Sequence, residues 1–146
     1  MTGKTLDEIE IGSVYFSDEQ LMTLESIIEF ASVYDPQPMH LDQAAAADGP
    51  FGQLTASGWQ TLSLTMKMMA ERKPFGDTPL IGVGVDGIEF KRPVFADTRI
   101  RVRAEVTGKR PSLKPGRGFV TIKVETQNAD TGEVVVRQNW TVMVPA

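Results

Sequence analysis

An aspartate and the only histidine of the chain, Asp35 and His40, lie five residues apart in the segment VYDPQPMHLD (residues 33–42). Imidazole exchanges protons near neutral pH, and a nearby carboxylate can accept a hydrogen bond or a second proton. Pro36 and Pro38 stiffen the connection and lower the entropy lost in holding the pair. Such a pair can flank one water molecule and activate it. Asp-Pro is also a common turn, and a lone histidine is often structural, so both interpretations stay open here.

A glycine at the predicted start of a long helix is a second candidate group. Gly58 follows Ser57 in the segment LTASGWQTL (residues 54–62). The first N–H groups of a helix have no acceptor inside the helix and lie at the positive end of its dipole. Because glycine has no side chain, a carbonyl could approach this amide closely, and charge developing on its oxygen would be stabilised. The alternative is a glycine that is needed only for close helix packing.

Composition excludes several classes of protein. Fifteen Lys and Arg residues against nineteen Asp and Glu give a net charge of −4, which implies no general attraction to nucleic acid or to an anionic membrane. The absence of cysteine excludes disulfides, thiolate metal sites and cysteine nucleophiles, and one histidine argues against a histidine-rich metal site. No stretch approaches the roughly 18 apolar residues of a membrane span, and the N-terminus lacks the apolar run of a signal peptide. We therefore expect a soluble cytoplasmic protein.

Helical periodicity runs through the first half of the chain. The segment SDEQLMTLESIIEFASVYD, residues 17–35, predicts an amphipathic helix that Ser17 and Gln20 would cap and that the two following prolines would end. Its apolar positions are Leu21, Leu24, Ile28 and Ala31. A short alanine-rich helix is predicted over residues 41–48.

A second long helix is predicted to begin near Ser57, where Gln60 occupies the capping-box position, and to continue through residue 73. Its apolar side chains surround most of its circumference, which predicts a helix enclosed by other structure, with its methionines filling the core.

The second half of the chain alternates apolar and polar residues with a period of two, as strands do. The pattern covers residues 81–85, 100–106, 120–124 and 134–144, and NADTG at residues 128–132 is typical of a turn. Helices followed by an antiparallel meander indicate an α+β fold and argue against a doubly wound parallel sheet. The length of 146 residues predicts one domain, residues 1–146.

A basic linker, GKRPSLKPGRG at residues 108–118, joins two of the predicted strands. Its cations are Lys109, Arg110, Lys114 and Arg117. They could meet the phosphates of a coenzyme or carrier, or they could form a solvated loop with no ligand.

Three segments together resemble the MaoC-like dehydratases, a family that includes the (R)-specific enoyl-CoA hydratases. DPQPMHLD (residues 35–42) matches the family signature of an aspartate, a proline, an aliphatic residue and a histidine, followed by an aspartate two positions on. FGQLTASGW (residues 51–59) resembles the segment in which a glycine opens the central helix. GVDGIEFKRPVFADTRIRV (residues 84–102) resembles the family's strand-turn-strand. The similarity runs in the expected order from residue 17 to the C-terminus.

The resemblance implies a single hotdog domain, in which an antiparallel β-sheet wraps around a long central helix. It also implies reversible hydration of 2-enoyl thioesters and dehydration of 3-hydroxyacyl thioesters, most simply those of coenzyme A. Asp35 and His40 would activate water, and Gly58 would donate its N–H to the thioester carbonyl. No metal or redox cofactor is expected. Family members pair their sheets and bind the acyl-thioester between subunits, so a homodimer or larger homo-oligomer is implied.

The neighbours of Gly58 belong to the predicted substrate site. Ser57 stands where many family members have histidine, and Trp59 and Phe51 could line the acyl pocket or simply be core aromatics. Gln37 replaces the usual asparagine of the signature, and Met66 replaces a serine that some hydratases carry.

Two other functions fit the same resemblance. In a hotdog thioesterase, the activated water would attack the carbonyl carbon instead of the β-carbon. A non-catalytic acyl-binding subunit would keep the fold without turnover.

Overall fold

The computed structural model describes residues 2–146 as four α-helices and six strands. A 3-10 turn at Leu6–Glu8 precedes them. The helices are α1 (Leu24–Tyr34), α2 (Pro38–Leu41), α3 (Gln43–Ala47) and α4 (Gly58–Arg72). The strands are β1 (Val14–Phe16), β2 (Gln20–Met22), β3 (Ile81–Phe90), β4 (Thr98–Pro111), β5 (Arg117–Asn128) and β6 (Val134–Pro145).

All six strands belong to one antiparallel sheet with the order β1-β4-β5-β6-β3, and β2 also pairs with β4. β4, β5 and β6 form the predicted meander, and the predicted turn at residues 128–132 joins β5 to β6. β3 precedes the meander in the chain but pairs with β6 at its far side. The predicted α+β class with an antiparallel sheet is confirmed.

The core lies on one face of the meander, where alternate side chains of β4 to β6 are buried as the period of two predicts. Its buried members on β4 and β5 include Ile100, Val102, Val106, Val120 and Val124. Helix α4 packs on this side, and its Thr65 hydroxyl lies 2.6 Å from the hydroxyl of Thr126 on β5. This buried hydrogen bond satisfies two polar groups that burial would otherwise penalise.

The first helix begins later than predicted. Residues 20–22 form strand β2 against Thr98–Ile100, and Ser17 accepts a hydrogen bond from the Val102 N–H at 2.8 Å instead of capping a helix. Thr23 is the actual N-cap, and its hydroxyl accepts from the Ser26 N–H at 3.1 Å. The prediction of a helix from residue 17 was wrong, because pairing with β4 satisfies the backbone hydrogen-bonding groups of this segment.

Helix α4 begins at the predicted place but is not enclosed within this chain. Ser57 is its N-cap, whereas the Gln60 amide does not return to the cap and instead donates to the Ser26 carbonyl at 3.2 Å. Met68 and Met69 fill the core as predicted. On the opposite face, Trp59 is 63% exposed and Met66 is 38% exposed. One apolar side of this helix is therefore left uncovered.

The basic linker is shorter than predicted because β4 and β5 extend into it, leaving residues 112–116 as the connection. Lys109 donates to the carbonyl oxygens of Leu6 and Ile9 at 2.9 and 2.7 Å, and the Arg110 guanidinium lies 4.3 Å from the centre of the Phe119 ring. These two cations support the structure of the chain itself.

No helix within residues 2–146 is long and apolar enough to cross a membrane.

The corrected start of α1 predicts the effect of removing its cap. Thr23→Ala is expected to lower the free energy of unfolding by about 1 kcal/mol, because an N–H at the helix start loses its acceptor. Urea unfolding followed by circular dichroism measures this change. The control is Ser32→Ala within α1, whose exposed hydroxyl only bonds back to the Glu29 carbonyl and whose removal is expected to cost almost nothing. Equal stability of Thr23→Ala and the wild type would contradict the assignment of the cap.

Candidate active site

The end of α1 and the short helices α2 and α3 follow one another in the chain and hold Asp35 and His40 close together. Asp35 ends helix α1, and its N–H still bonds to the Ala31 carbonyl at 2.9 Å. Pro38 opens α2 at a position where its missing N–H costs nothing, and His40 lies on this single turn. Asp42, the second aspartate of the signature, caps α3 by accepting from two backbone N–H groups at 2.9 and 3.3 Å. Its role is therefore to anchor the segment.

The imidazole of His40 is buried and oriented by a backbone carbonyl. Its Nδ1 lies 2.6 Å from the carbonyl oxygen of Thr55. Because a carbonyl oxygen can only accept, this contact assigns a proton to Nδ1. In the neutral ring Nε2 is then an unprotonated acceptor, as a general base requires. Nε2 lies 3.3 Å from Asp35 Oδ2.

The backbone around Thr55 is held from two sides. The Thr55 N–H donates to the Met39 carbonyl at 3.0 Å, and the N–H of Ala56 donates to the Val94 carbonyl at 2.8 Å. Thr55 also forms an isolated antiparallel bridge with Phe95. The carbonyl that orients His40 is therefore part of a rigid connection between α2 and the segment after β3.

Both carboxylate oxygens of Asp35 accept hydrogen bonds. The Gln37 amide donates to Oδ1 at 2.5 Å, and the Ser57 hydroxyl donates to Oδ2 at 2.7 Å. These donors lower the pKa of Asp35 below its ordinary value, the Gln37 contribution being the larger, with a smaller attraction from His40 acting in the same direction. Partial burial opposes this shift without reversing it. Asp35 is therefore a stable anion at neutral pH.

A cavity of about 340 Å³ opens beside the pair, and its walls are largely apolar. Asp35, His40 and Gly58 line it together with the aromatic side chains of Phe51, Trp59 and Phe90. Its deeper wall includes Thr61 and Val136, both buried. A few polar groups facing an apolar cleft are typical of a site that binds a small molecule.

Two cations lie at the edge of the cavity, and both are paired. Lys91 Nζ lies 2.6 Å from Glu89 Oε2, and Arg92 Nε lies 2.5 Å from Glu133 Oε2. Arg137 and Lys91 together lower the pKa of Glu89 to about 2. Glu89 is thus shared by two cations, and Arg92 has a carboxylate partner of its own.

Gly58 is the first residue of α4 and lines the cavity, as predicted. Its N–H has no hydrogen-bond acceptor within the part of the chain that the structure describes. A β-carbon added at Gly58 would overlap the partly exposed Phe90 ring, so any larger residue here requires that ring to shift. The two interpretations of this residue are compatible, because a ring packed on its α-carbon leaves the amide unpaired.

The structure brings together five of the six predicted site residues around one cavity: Asp35, His40, Gly58, Trp59 and Phe51. Ser57 is fully buried and does not line the cavity, since its hydroxyl is used on Asp35 and on the Trp59 N–H. Trp59 and Phe51 are exposed, so the interpretation of both as core aromatics was wrong.

Sequence reasoning missed three contributors: Gln37, Phe90 and the Thr55 carbonyl. Gln37 lies inside the signature, but nothing in the sequence shows that its side chain turns toward Asp35. A backbone carbonyl carries no signal in residue types at all.

The basic linker lies at the other end of the sheet from this cavity. Its Arg117 pairs with Pro145, near the Ile81 end of β3, whereas the cavity is at the Phe90 end. Within one chain, the basic linker and the cavity are separated by the length of β3. Among residues 2–146, no three His, Cys, Asp or Glu side chains cluster closely enough to hold a metal ion.

The Phe90 contact predicts the effect of a methyl group at residue 58. Gly58→Ala should lower the free energy of unfolding by about 1–3 kcal/mol through overpacking, although alanine is the better helix former. The same change in a Phe90→Leu background is expected to cost less, because the smaller side chain leaves room. Urea unfolding of the four proteins gives the coupling between the two sites. An alanine variant as stable as the wild type would show that the ring does not restrict this position.

Comparison with known proteins agrees with the fold and the signature. The family model described as "MaoC like domain" matches residues 9–129. The chain superposes on the crystal structure of a MaoC-like dehydratase from Rhodospirillum rubrum with a TM-score of 0.91 and 33% identity, covering 98% of this chain and 97% of that one. The predicted hotdog architecture is thereby confirmed.

Two curated relatives have names that describe reactions. The 3-hydroxyacyl-thioester dehydratase Z of Mycobacterium tuberculosis is 31% identical over 75% of this chain and 72% of its own length. The (R)-specific enoyl-CoA hydratase of Aeromonas caviae is 32% identical over 70% of this chain and 75% of its own. The fold, the family model and these relatives agree, and the chain belongs to the MaoC-like dehydratase family.

Proposed function

We propose that this protein is a hydratase/dehydratase that adds water reversibly across the 2,3 double bond of a 2-enoyl thioester, with coenzyme A as the expected carrier. The observation that carries the proposal is the orientation of His40. Its Nδ1 is held on a carbonyl while its Nε2 faces an ionised Asp35 at 3.3 Å, at the wall of an apolar cavity. This pair can hold one water molecule beside a bound acyl group.

The chemistry follows from the three groups that line the cavity. Asp35 and His40 position a water molecule, and its oxygen bonds to the β-carbon while the pair takes its proton. The electrons of the double bond move toward the thioester oxygen, where the unpaired Gly58 N–H would stabilise the enolate-like charge. A proton from the pair then reaches the α-carbon and completes the 3-hydroxyacyl product. The reverse sequence is dehydration.

The proposed reaction transfers protons and water without a net change in oxidation state, so it requires no redox cofactor, and its three groups act without a metal in the mechanism proposed here. The names of the relatives from M. tuberculosis and A. caviae support the same reaction type and thioester substrates. We keep the cytoplasmic location as part of the proposal.

Turnover of crotonyl-CoA and of longer and branched enoyl-CoA substrates tests the proposal. The wild type is expected to remove the enone absorbance without releasing free thiol. His40→Ala and Asp35→Asn should each reduce kcat/KM by about 10²–10⁴, the usual contribution of a positioned acid or base. The matched control is Asp18→Asn, an exposed aspartate outside the cavity, which should behave as the wild type.

The two rival functions give different results in the same assay. Free thiol appearing with loss of thioester would indicate a thioesterase. No turnover of any substrate, by wild type and His40→Ala alike, would favour a non-catalytic acyl-binding subunit.

We infer further that the working form is a homodimer paired through the free edge of β3. Within residues 2–146, β3 pairs only with β6, and every residue of this strand is exposed. Val83 and Val85 are 51% and 53% exposed. An apolar cleft of about 380 Å³ lies between β3 and the uncovered side of α4, lined in part by Trp59 and Met66. A second copy would satisfy the strand edge and cover this surface.

Sedimentation velocity of the purified protein tests the dimer. The wild type should sediment as a dimer at micromolar concentration, and Val85→Lys should shift it toward monomer, because a charge would be buried at the shared edge. Leu21→Lys is the control, since Leu21 is also exposed, at 42%, but lies on β2 at the opposite side of the sheet. A monomeric wild type would contradict the inference.

A further inference from the structure

The carboxylate of Asp35 is held from two directions by neutral donors. We propose that Ser57 and Gln37 are positioning residues that together fix the orientation of Asp35 and keep it ionised, so that His40 is the group that changes its protonation state during turnover. This inference rests on the proposed function and assigns a division of labour within the same site.

Ser57 contacts Asp35 from the protein interior. Its side chain is fully buried, and its hydroxyl donates to Asp35 Oδ2 at 2.7 Å while accepting from the Trp59 N–H at 3.2 Å. The cap of α4 and the orientation of Asp35 therefore depend on one oxygen atom. Because the hydroxyl proton is committed to Asp35, Ser57 has no donor left for a substrate, and the structure gives it a different role from the predicted substrate contact.

Gln37 acts from the solvent side. Its exposed amide donates to Asp35 Oδ1 at 2.5 Å, and its backbone N–H bonds to the Asp35 carbonyl at 2.7 Å. The main-chain contact holds the two residues in a tight turn that brings the side chains together. Ser57 and Gln37 thus bind different oxygens of one carboxylate, which fixes its plane.

The charge state of Asp35 follows from the type of its partners. A hydroxyl and an amide N–H donate more strongly to the anion than to the neutral acid, so they favour the anion, and the pKa of Asp35 is accordingly lowered. The titratable and charged groups around this carboxylate are His40 on α2 and, across the cavity, Lys91 and Arg92. The two cations are paired with glutamates.

A lowered pKa means that Asp35 stays ionised until the pH falls below the ordinary range of a carboxyl group. Removing either donor raises this pKa, so the Asp35 carboxylate should take up its proton at a higher pH as the solution is acidified.

The experiment measures Asp35 directly and through turnover. Carbon-13 NMR of the aspartate side-chain carboxyl groups, with Asp35 assigned from the Asp35→Asn variant, gives its titration midpoint without any substrate. The kcat/KM for crotonyl-CoA hydration at neutral pH, where Asp35 is ionised, reports the orientation of its carboxylate. Both are measured for the wild type, Ser57→Ala, Gln37→Ala and Ser57→Thr.

Ser57→Ala and Gln37→Ala should each move the titration midpoint of Asp35 upward. Each variant should also lose roughly tenfold in kcat/KM at neutral pH, the size expected for one hydrogen bond to a charged group. Ser57→Thr keeps the hydroxyl and should restore both readouts toward the wild type. Gln37 is exposed, so its variant tests the proposal even if Ser57→Ala fails to fold.

Two controls separate positioning from stability. Thr23→Ala removes the hydroxyl cap of α1, as Ser57→Ala removes that of α4, without touching Asp35. Gln43→Ala removes an exposed glutamine from the neighbouring helix α3. Neither should move the Asp35 midpoint or lower kcat/KM.

An Asp35 midpoint unchanged in both Ser57→Ala and Gln37→Ala would overturn the proposal, as would an active enzyme in which both variants keep the kcat/KM of the wild type. If no enoyl thioester is turned over, the proposed function fails, but the titration still shows whether the two donors hold the carboxylate.

Discussion

The hydrogen bond between the Thr55 carbonyl and His40 Nδ1, at 2.6 Å, determines what this site can do. It assigns the proton to one nitrogen and leaves the other facing Asp35. The carbonyl can serve this purpose because the residues around it bond to α2 on one side and to the segment after β3 on the other. The orientation of His40 therefore depends on the contacts that hold the Thr55 carbonyl oxygen in place. The same segment leads into α4, so one connection orients the imidazole and also starts the helix that presents Gly58.

Much of the fold follows from patterns that the chain carries locally. Alternation in β4 to β6 is a direct consequence of burying one face of a sheet, and the prolines after Asp35 end α1 by removing backbone donors. The segment around Ser17 was misjudged because its hydrogen bonds go to β4, which lies more than 80 residues away in the chain. Strand β3 was recognised by its alternation, but its exposure on every residue could not be predicted from a pattern that normally marks a buried face.

The site was predictable to the extent that side chains carry the chemistry. Asp35, His40 and Gly58 were identified from residue type, spacing and resemblance, and they line one cavity. The fate of Ser57 was not predictable, because nothing in the sequence shows that its hydroxyl turns toward Asp35 instead of toward a substrate. Two departures from the family signature, Gln37 and Ser57, contact the same carboxylate. Two departures that lie 20 residues apart in the sequence thus meet at one functional group.

The proposed mechanism requires the acyl β-carbon to lie beside the Asp35 and His40 pair and the thioester oxygen to lie at the start of α4. A crystal structure of the protein with a slowly reacting enoyl-thioester analogue tests both positions. We expect one water molecule within hydrogen-bond distance, about 3 Å, of both Asp35 and His40 Nε2 and next to the β-carbon, with the carbonyl oxygen about 3 Å from the Gly58 nitrogen. A complex in which that water faces the carbonyl carbon, or in which the acyl group lies outside the cavity, would contradict this mechanism.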